Sequence, residues 1–274
     1  MKKILAILIA TLALITMAYM GKQGYLSAKQ YEQRTALLSQ QMDAGTLAEL
    51  QLKEWASLLT LGLVKNDLKE KMQKLETERQ TYNAHAKTYA LYFAIGALVI
   101  LLLYFLLSLR GFTIAVSLAA LLALINGLIT PILMMVIHKQ VEHLGDVVLS
   151  FESKAILGSI AKLYANDSLV VAGVILLFSV VVPVLKTLSV LFVAAFEQSP
   201  FAAKVVRFFK HLGKWSMLDV FVVAILLVYL TGGSSETSRS EVEIGLYFFL
   251  IYVLLSMVAS LSADKMLHQK GTQA

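Results

Sequence analysis

Cysteine is absent from the 274-residue chain, which excludes disulfides, thiolate-bound zinc and thiol catalysis. Charge is scarce as well. Only 15% of residues are charged against 58% hydrophobic, too little polar material to cover the surface of a soluble fold. No glycine-rich phosphate loop ending in lysine and serine occurs, so a Walker-type ATP site is excluded. No Ser-His-Asp arrangement stands in a water-accessible loop either. The expectation is therefore a membrane protein that is not an enzyme and carries no cofactor. The net charge of +6 follows membrane topology and does not point to nucleic acid.

What the chain has is long apolar runs. Six segments approach or exceed the roughly 20 helical residues that cross a bilayer core: 4–20, 89–107, 112–137, 169–196, 217–231 and 244–261. The fold class this predicts is an all-α polytopic membrane protein with six transmembrane helices. The first segment, behind Met1-Lys2-Lys3, also has the form of a secretory signal peptide, but the residues after it make a poor small-x-small cleavage site. Lysine and arginine in short loops mark the cytoplasmic side. The connection 197–216 carries Lys204, Arg207, Lys210 and Lys214 against one acid, Glu197. Arg110, Lys265, Lys270 and the N-terminal Lys2 and Lys3 fall on the same side, so both termini, with the tail 262–274, are expected in the cytoplasm.

The polar segment 21–88 is then outside. Ala28, Tyr31, Thr35, Leu38 and Met42 step by three and four, as do Leu68, Met72, Leu75, Arg79, Tyr82, Ala86 and Tyr89. Two helices extending the first two spans and pairing as an antiparallel hairpin fit this pattern, with the stripe as their own coiled-coil seam. At the tip, Thr46 and Glu49 form a capping box ahead of a short helix with Trp55 and Leu58, the candidates for contact with a partner. In the second outer loop, 138–168, residues 146–151 suit a strand and 153–164 a helix. His138, Glu142, His143 and Asp146 are poorly spaced for a metal, because five residues split the two histidines across a helix. In 197–216, Phe201, Val205, Phe208 and Leu212 share one face and Lys204, Arg207 and Lys214 another, an interfacial helix suited to anionic headgroups.

Charges deep in a bilayer are costly and tend to be paired, snorkelling or functional. In SVVVPVLKTL, Lys186 lies about 15 Å from the inner end of its span at 1.5 Å per residue, and Pro183 removes a backbone donor and clashes with the carbonyl of Ser179. Asp219 is the candidate partner, though Ser216-Met217-Leu218-Asp219 is equally a helix-capping pattern. Asn126 and Thr130, one turn apart and followed by Pro131, make a further polar cluster that suits helix-to-helix hydrogen bonding.

These residues also carry a resemblance. LGKWSMLDVFVVAILLV at 212–228, FSVVVPVLKTLSVL at 178–191 and NGLITPILMM at 126–135 resemble, in order and spacing, the signatures of the paraquat-inducible protein A family. The resemblance covers roughly 112–261, and Pro183, Lys186, Trp215, Ser216, Met217 and Asp219 match its motif. It implies a tetraspanin-like four-helix module with a small outer strand-bearing subdomain, in a bacterial inner membrane. It further implies lipid transport beside a mammalian-cell-entry (MCE) domain partner, with Lys186 and Asp219 as candidates for a proton-coupled switch. Many members carry two modules and cysteine zinc ribbons; this chain has one module, no cysteine and the added hairpin. The alternative function is a sensor or adaptor reading an external signal through that hairpin.

Overall fold

The computed structural model describes residues 2–41, 67–141, 145–196 and 238–271. Two long helices open the chain, α1 (Lys2–Gln41) and α2 (Asp67–Leu102), followed by a 3-10 turn, Leu103–Phe105. Then come α3 (Leu109–Ile129), β1 (Leu133–Val141), β2 (Gly145–Lys154) and α4 (Ile156–Ala165). The span Leu169–Ala195 consists of α5 (Leu169–Leu176), a π turn (Leu177–Val181) and α6 (Val182–Ala195). Last are β3 (Ser238–Val242) and α7 (Ile244–Gly271). Five helices among the described residues are long and apolar enough to cross a membrane. The expected span at 217–231 lies outside the described residues.

The expected seam between the first two helices is present. Met17 meets Gly96, Tyr31 meets Arg79 and Arg34 meets Glu78, so numbers fall along one helix as they rise along the other, and the pair is antiparallel. Ala28, Tyr31, Thr35 and Leu38 on α1 and Leu75 and Ala86 on α2 are all buried. Toward the start of α1, Ala6, Ala10 and Ala13 on α1 and Ala90 and Ala97 on α2 are buried beside the larger Met17, Phe93 and Ile100. Ile4, Leu8, Leu12 and Ile15 point outward and are more than half exposed. Alanines inside and exposed Ile and Leu outside fit a helix pair surrounded by lipid, where close helix approach drives association.

Helix α3 covers about 31 Å at 1.5 Å per residue, the thickness of a bilayer core. It packs against α7, α6 and α1. Along its interior side Ala119, Ala120 and Ala123 are fully buried, Gly127 abuts the Phe249 backbone, and Thr113 shares a 2.7 Å hydrogen bond with Ser262. Helices α1 and α2, about 60 and 54 Å long, outrun this thickness. Since Gly21 and Gly24 of α1 touch Asn126 and Phe248 near the sheet, the excess length projects on the sheet side.

The third span is shorter than the sequence suggests. Residues 130–137 are apolar, but Pro131 lacks the N–H to continue the helix, and Thr130 is already extended at φ −83°, ψ 142°. The chain passes into β1, so 133–137 is strand and not membrane helix, and His138 continues that strand and is not in a loop. β1 pairs antiparallel with β2 on one side and β3 on the other, giving the order β2-β1-β3. A bulge between Ile137 and His138, where the partners step from Ser150 to Val148, leaves Leu149 as the extra residue. The expected strand at 146–151 and helix at 153–164 correspond to β2 and α4. β3, Ser-Arg-Ser-Glu-Val, was not expected, since four of its five residues are polar and only pairing with β1 makes it a strand.

Candidate functional site

The sequence directs attention to the proline-lysine break, and the structure shows how the helix accommodates it. Ahead of Pro183 the chain widens into a π turn in which the Val182 N–H reaches back five residues to the Leu177 carbonyl. Pro183 then sits in the first turn of α6, where a missing N–H costs least. Its own carbonyl accepts from Thr187 Oγ1 at 2.9 Å and from the Tyr252 hydroxyl of α7 at 3.4 Å. Pro183, Thr187, Ser179 and Tyr252 are all buried.

Lys186 follows one turn later and is half buried; it is not an unpartnered charge. At about 100° per residue it stands at the edge between two faces of α6. On one side are the buried Pro183, Thr187 and Ala194. On the other is an open apolar groove of about 540 Å³, lined by Leu185, Leu188, Ser189, Leu191, Phe192, Ala195 and Phe196. A cation beside an acyl-sized groove could hold a negative headgroup while chains lie on Leu and Phe.

The second expected cluster has a more structural face. Asn126 is buried, and its Nδ2 donates to the Leu122 carbonyl of its own helix at 2.8 Å. Its side chain fills the space beside Gly21 of α1, so it contributes to docking the hairpin on α3. Thr130 bonds back to Asn126 through its amide at 3.0 Å, while its hydroxyl is fully buried with no hydrogen-bond partner among the described residues. The Pro131 carbonyl accepts the Gly245 N–H at 2.9 Å, and the Ile132 carbonyl the Glu243 N–H at 3.0 Å. Pro131 thus joins the end of α3 to the start of α7.

Two participants were missed by sequence reasoning. Tyr252 holds the Pro183 carbonyl, and its only sequence signal is a hydroxyl inside FFLIYVLL. Arg110, read only as a topology marker, donates through Nε to the Ala194 carbonyl at 3.0 Å and through Nη2 to the Ala195 carbonyl at 2.7 Å. A cation there satisfies the orphan carbonyls at the end of α6 and complements its dipole. Nearby, Lys265 Nζ lies 2.8 Å from the Tyr104 hydroxyl. At 5.6 Å from that ring's centroid, it contacts the hydroxyl and does not sit over the face.

Asp219, Trp215, Ser216, Met217, Trp55, Leu58, Lys204, Arg207 and Lys214 lie outside the described residues. Of the four poorly spaced metal candidates, His138 and Asp146 fall on neighbouring strands, with His138 opposite Val148 and Asp146 opposite Gln140. No group of three or more His, Asp and Glu side chains able to hold a metal occurs among the described residues.

The chain is similar to proteins already known. Intermembrane transport protein PqiA from Escherichia coli strain K12 is 28% identical over 128 residues, which is 43% of this chain and 30% of that protein. The protein of the same name from Shigella flexneri matches equally. The chain therefore spans about a third of the length of these relatives. No solved structure matches it. The family model described as paraquat-inducible protein A matches residues 112–270, from α3 through α7 and more than half of the chain, and the chain belongs to that family.

Proposed function

We propose that this protein is an inner-membrane subunit of a lipid-transport system, offering lipid to a periplasmic partner, with an MCE-domain protein as the expected partner. The observation that carries the reading is the break at Pro183 and Lys186: a half-buried cation at the edge of the α6 face that lines an apolar groove of about 540 Å³, within the residues matched by the family model. The role is non-enzymatic. Arg110, Lys265 and the chain start gather at the end opposite the sheet, which supports a cytoplasmic placement for that end and a periplasmic one for the sheet and hairpin. Lys204, Arg207 and Lys214 are suited to anionic headgroups on the cytoplasmic face. Lys186 and Asp219 together would form a proton-linked switch, with Asn126 and Thr130 as flanking polar groups.

A second reading, a sensor or adaptor, is favoured by one observation. Helix α1 runs unbroken from the membrane to the projecting hairpin and touches Asn126 through Gly21 and Phe248 through Gly24. Trp55 and Leu58 at the hairpin tip would then take the partner. Copurification from native membranes, with lipids and proteins identified by mass spectrometry, separates the two. Recovery of phospholipid together with an MCE-domain protein supports transport; recovery of signalling proteins without bound lipid overturns it.

A further inference from the structure

The span Leu169–Ala195 is anchored through its inner part and loose in its outer part, α5. Its inner part, α6, is tied to α7 by the Tyr252 hydroxyl on the Pro183 carbonyl and to the start of α3 by Arg110 on Ala194 and Ala195. Val193 and Ala194 are buried to within 1%. On the other side, α4 packs on α3, with Ile156 only 3% exposed. Between these anchors α5 is eight residues long, and Ala172 is the one residue in it that is buried. Val170 is 81% exposed, and a methyl built on Gly173 would meet nothing within 4 Å.

Both ends of α5 are irregular. Before it, Asp167 adopts φ 58°, a left-handed conformation that only Gly, Asn and Asp visit readily, in the turn that separates α4 from α5. After it comes the π turn Leu177–Val181, followed at once by Pro183, which cannot donate to Ser179. Helices bend at π turns and prolines because the bonds that stiffen the rod are fewest or poorest there. Regions with few buried contacts between well-packed ones are also where local motion concentrates.

We infer that α5 is a movable strap, hinged at Asp167 and at the Leu177–Pro183 break, that shifts its position relative to α3 while α4 and α6 stay in place. Its displacement changes the width of the lateral gap between α5 and α3 on the sheet side, above the level of Lys186. The use of that gap for lipid entry rests on the transport reading; the motion itself does not.

The absence of cysteine makes the test direct, since spin labels attach only where cysteine is introduced. In nanodiscs of bacterial phospholipid, a label pair at Val170→Cys and Ile125→Cys reports α5 against α3, and a pair at Leu188→Cys and Ile125→Cys reports α6 against the same point. All three positions are exposed. The strap predicts a distance distribution at least twice as broad, or split in two, for the first pair and a single narrow peak for the second. Deletion of Val181, which converts the π turn to regular helix, narrows the first pair and leaves the second unchanged. Pro183→Ala, which restores the donor to the Ser179 carbonyl, narrows it too and serves if the deletion does not insert. Equal, narrow distributions for both pairs in the unaltered background overturn the strap, whatever lipid the protein copurifies with.

Discussion

Gly127 on α3 lies so close to Phe249 on α7 that a methyl carbon built on it would stand 2.9 Å from the Phe249 amide nitrogen. The obstacle is backbone, which cannot rotate aside. Gly127→Leu is therefore expected to destabilise the α3–α7 pair by about 2 kcal/mol, read as an earlier loss of helicity in an SDS titration. Gly173→Ala, placed in open space, should be neutral or stabilising by less than about 1 kcal/mol. If the two substitutions behave alike, the close helix approach is wrong.

Removal of the Arg110 guanidinium leaves the Ala194 and Ala195 carbonyls without their side-chain donor. Because the residue is exposed, water replaces it in part, and Arg110→Ala is expected to cost about 1 kcal/mol. Arg110→Lys keeps the charge at the helix end but not the fork that spans two carbonyls, so it should recover about half of that. Thermal unfolding in detergent checks the order wild type, Lys, Ala.

Within the hairpin, packing should outweigh charge. Arg34 Nε is 3.1 Å from Glu78 Oε2, yet its N–H is not aimed to form a hydrogen bond, and both side chains are about a third exposed. A double-mutant cycle on Arg34→Met and Glu78→Gln should give a coupling below about 1 kcal/mol that shrinks further in high salt. Tyr31, 2% exposed in the same seam, should cost about 3 kcal/mol on truncation to Ala. A coupling larger than the Tyr31 effect would reverse this ranking.

On the transport reading, Lys186→Ala and Asp219→Ala should each abolish the recovery of lipid and of the proposed periplasmic partner while leaving insertion and the thermal midpoint nearly unchanged. The measurement is phospholipid per protein after copurification, with helicity by circular dichroism as the folding control. Full recovery in either variant removes the proton-linked switch.

Much of this architecture was legible. The hairpin seam could be read from Tyr31, Leu38, Leu75 and Ala86 because a helical repeat survives where two helices pack mainly on each other. The third span was read too long because apolarity alone cannot tell the strand Leu133-Met134-Met135-Val136 from membrane helix; Pro131 was the decisive signal. β3 was illegible, since its polar residues become a strand only through pairing with β1. Lys186 and Pro183 were found because charge and a breaker are conspicuous in an apolar run. Tyr252 was missed because one phenol among aromatic and aliphatic residues looks like packing.

The sheet has a geometric effect on the membrane helices below it. β1 continues directly from α3, β3 leads directly into α7, and Leu133 pairs with Val242 at their membrane ends. Adjacent strands are about 4.8 Å apart, whereas packed helices usually keep 8–10 Å between axes. Two helices suspended from neighbouring strands must converge toward that end, and side chains there run out of room. The glycines at 127 and 245 are where that convergence is absorbed, with Gly245 against the carbonyls of Thr130 and Pro131. A three-stranded sheet outside the bilayer thus dictates residue size within it, and a longer side chain at either glycine would be felt first as a loosened sheet.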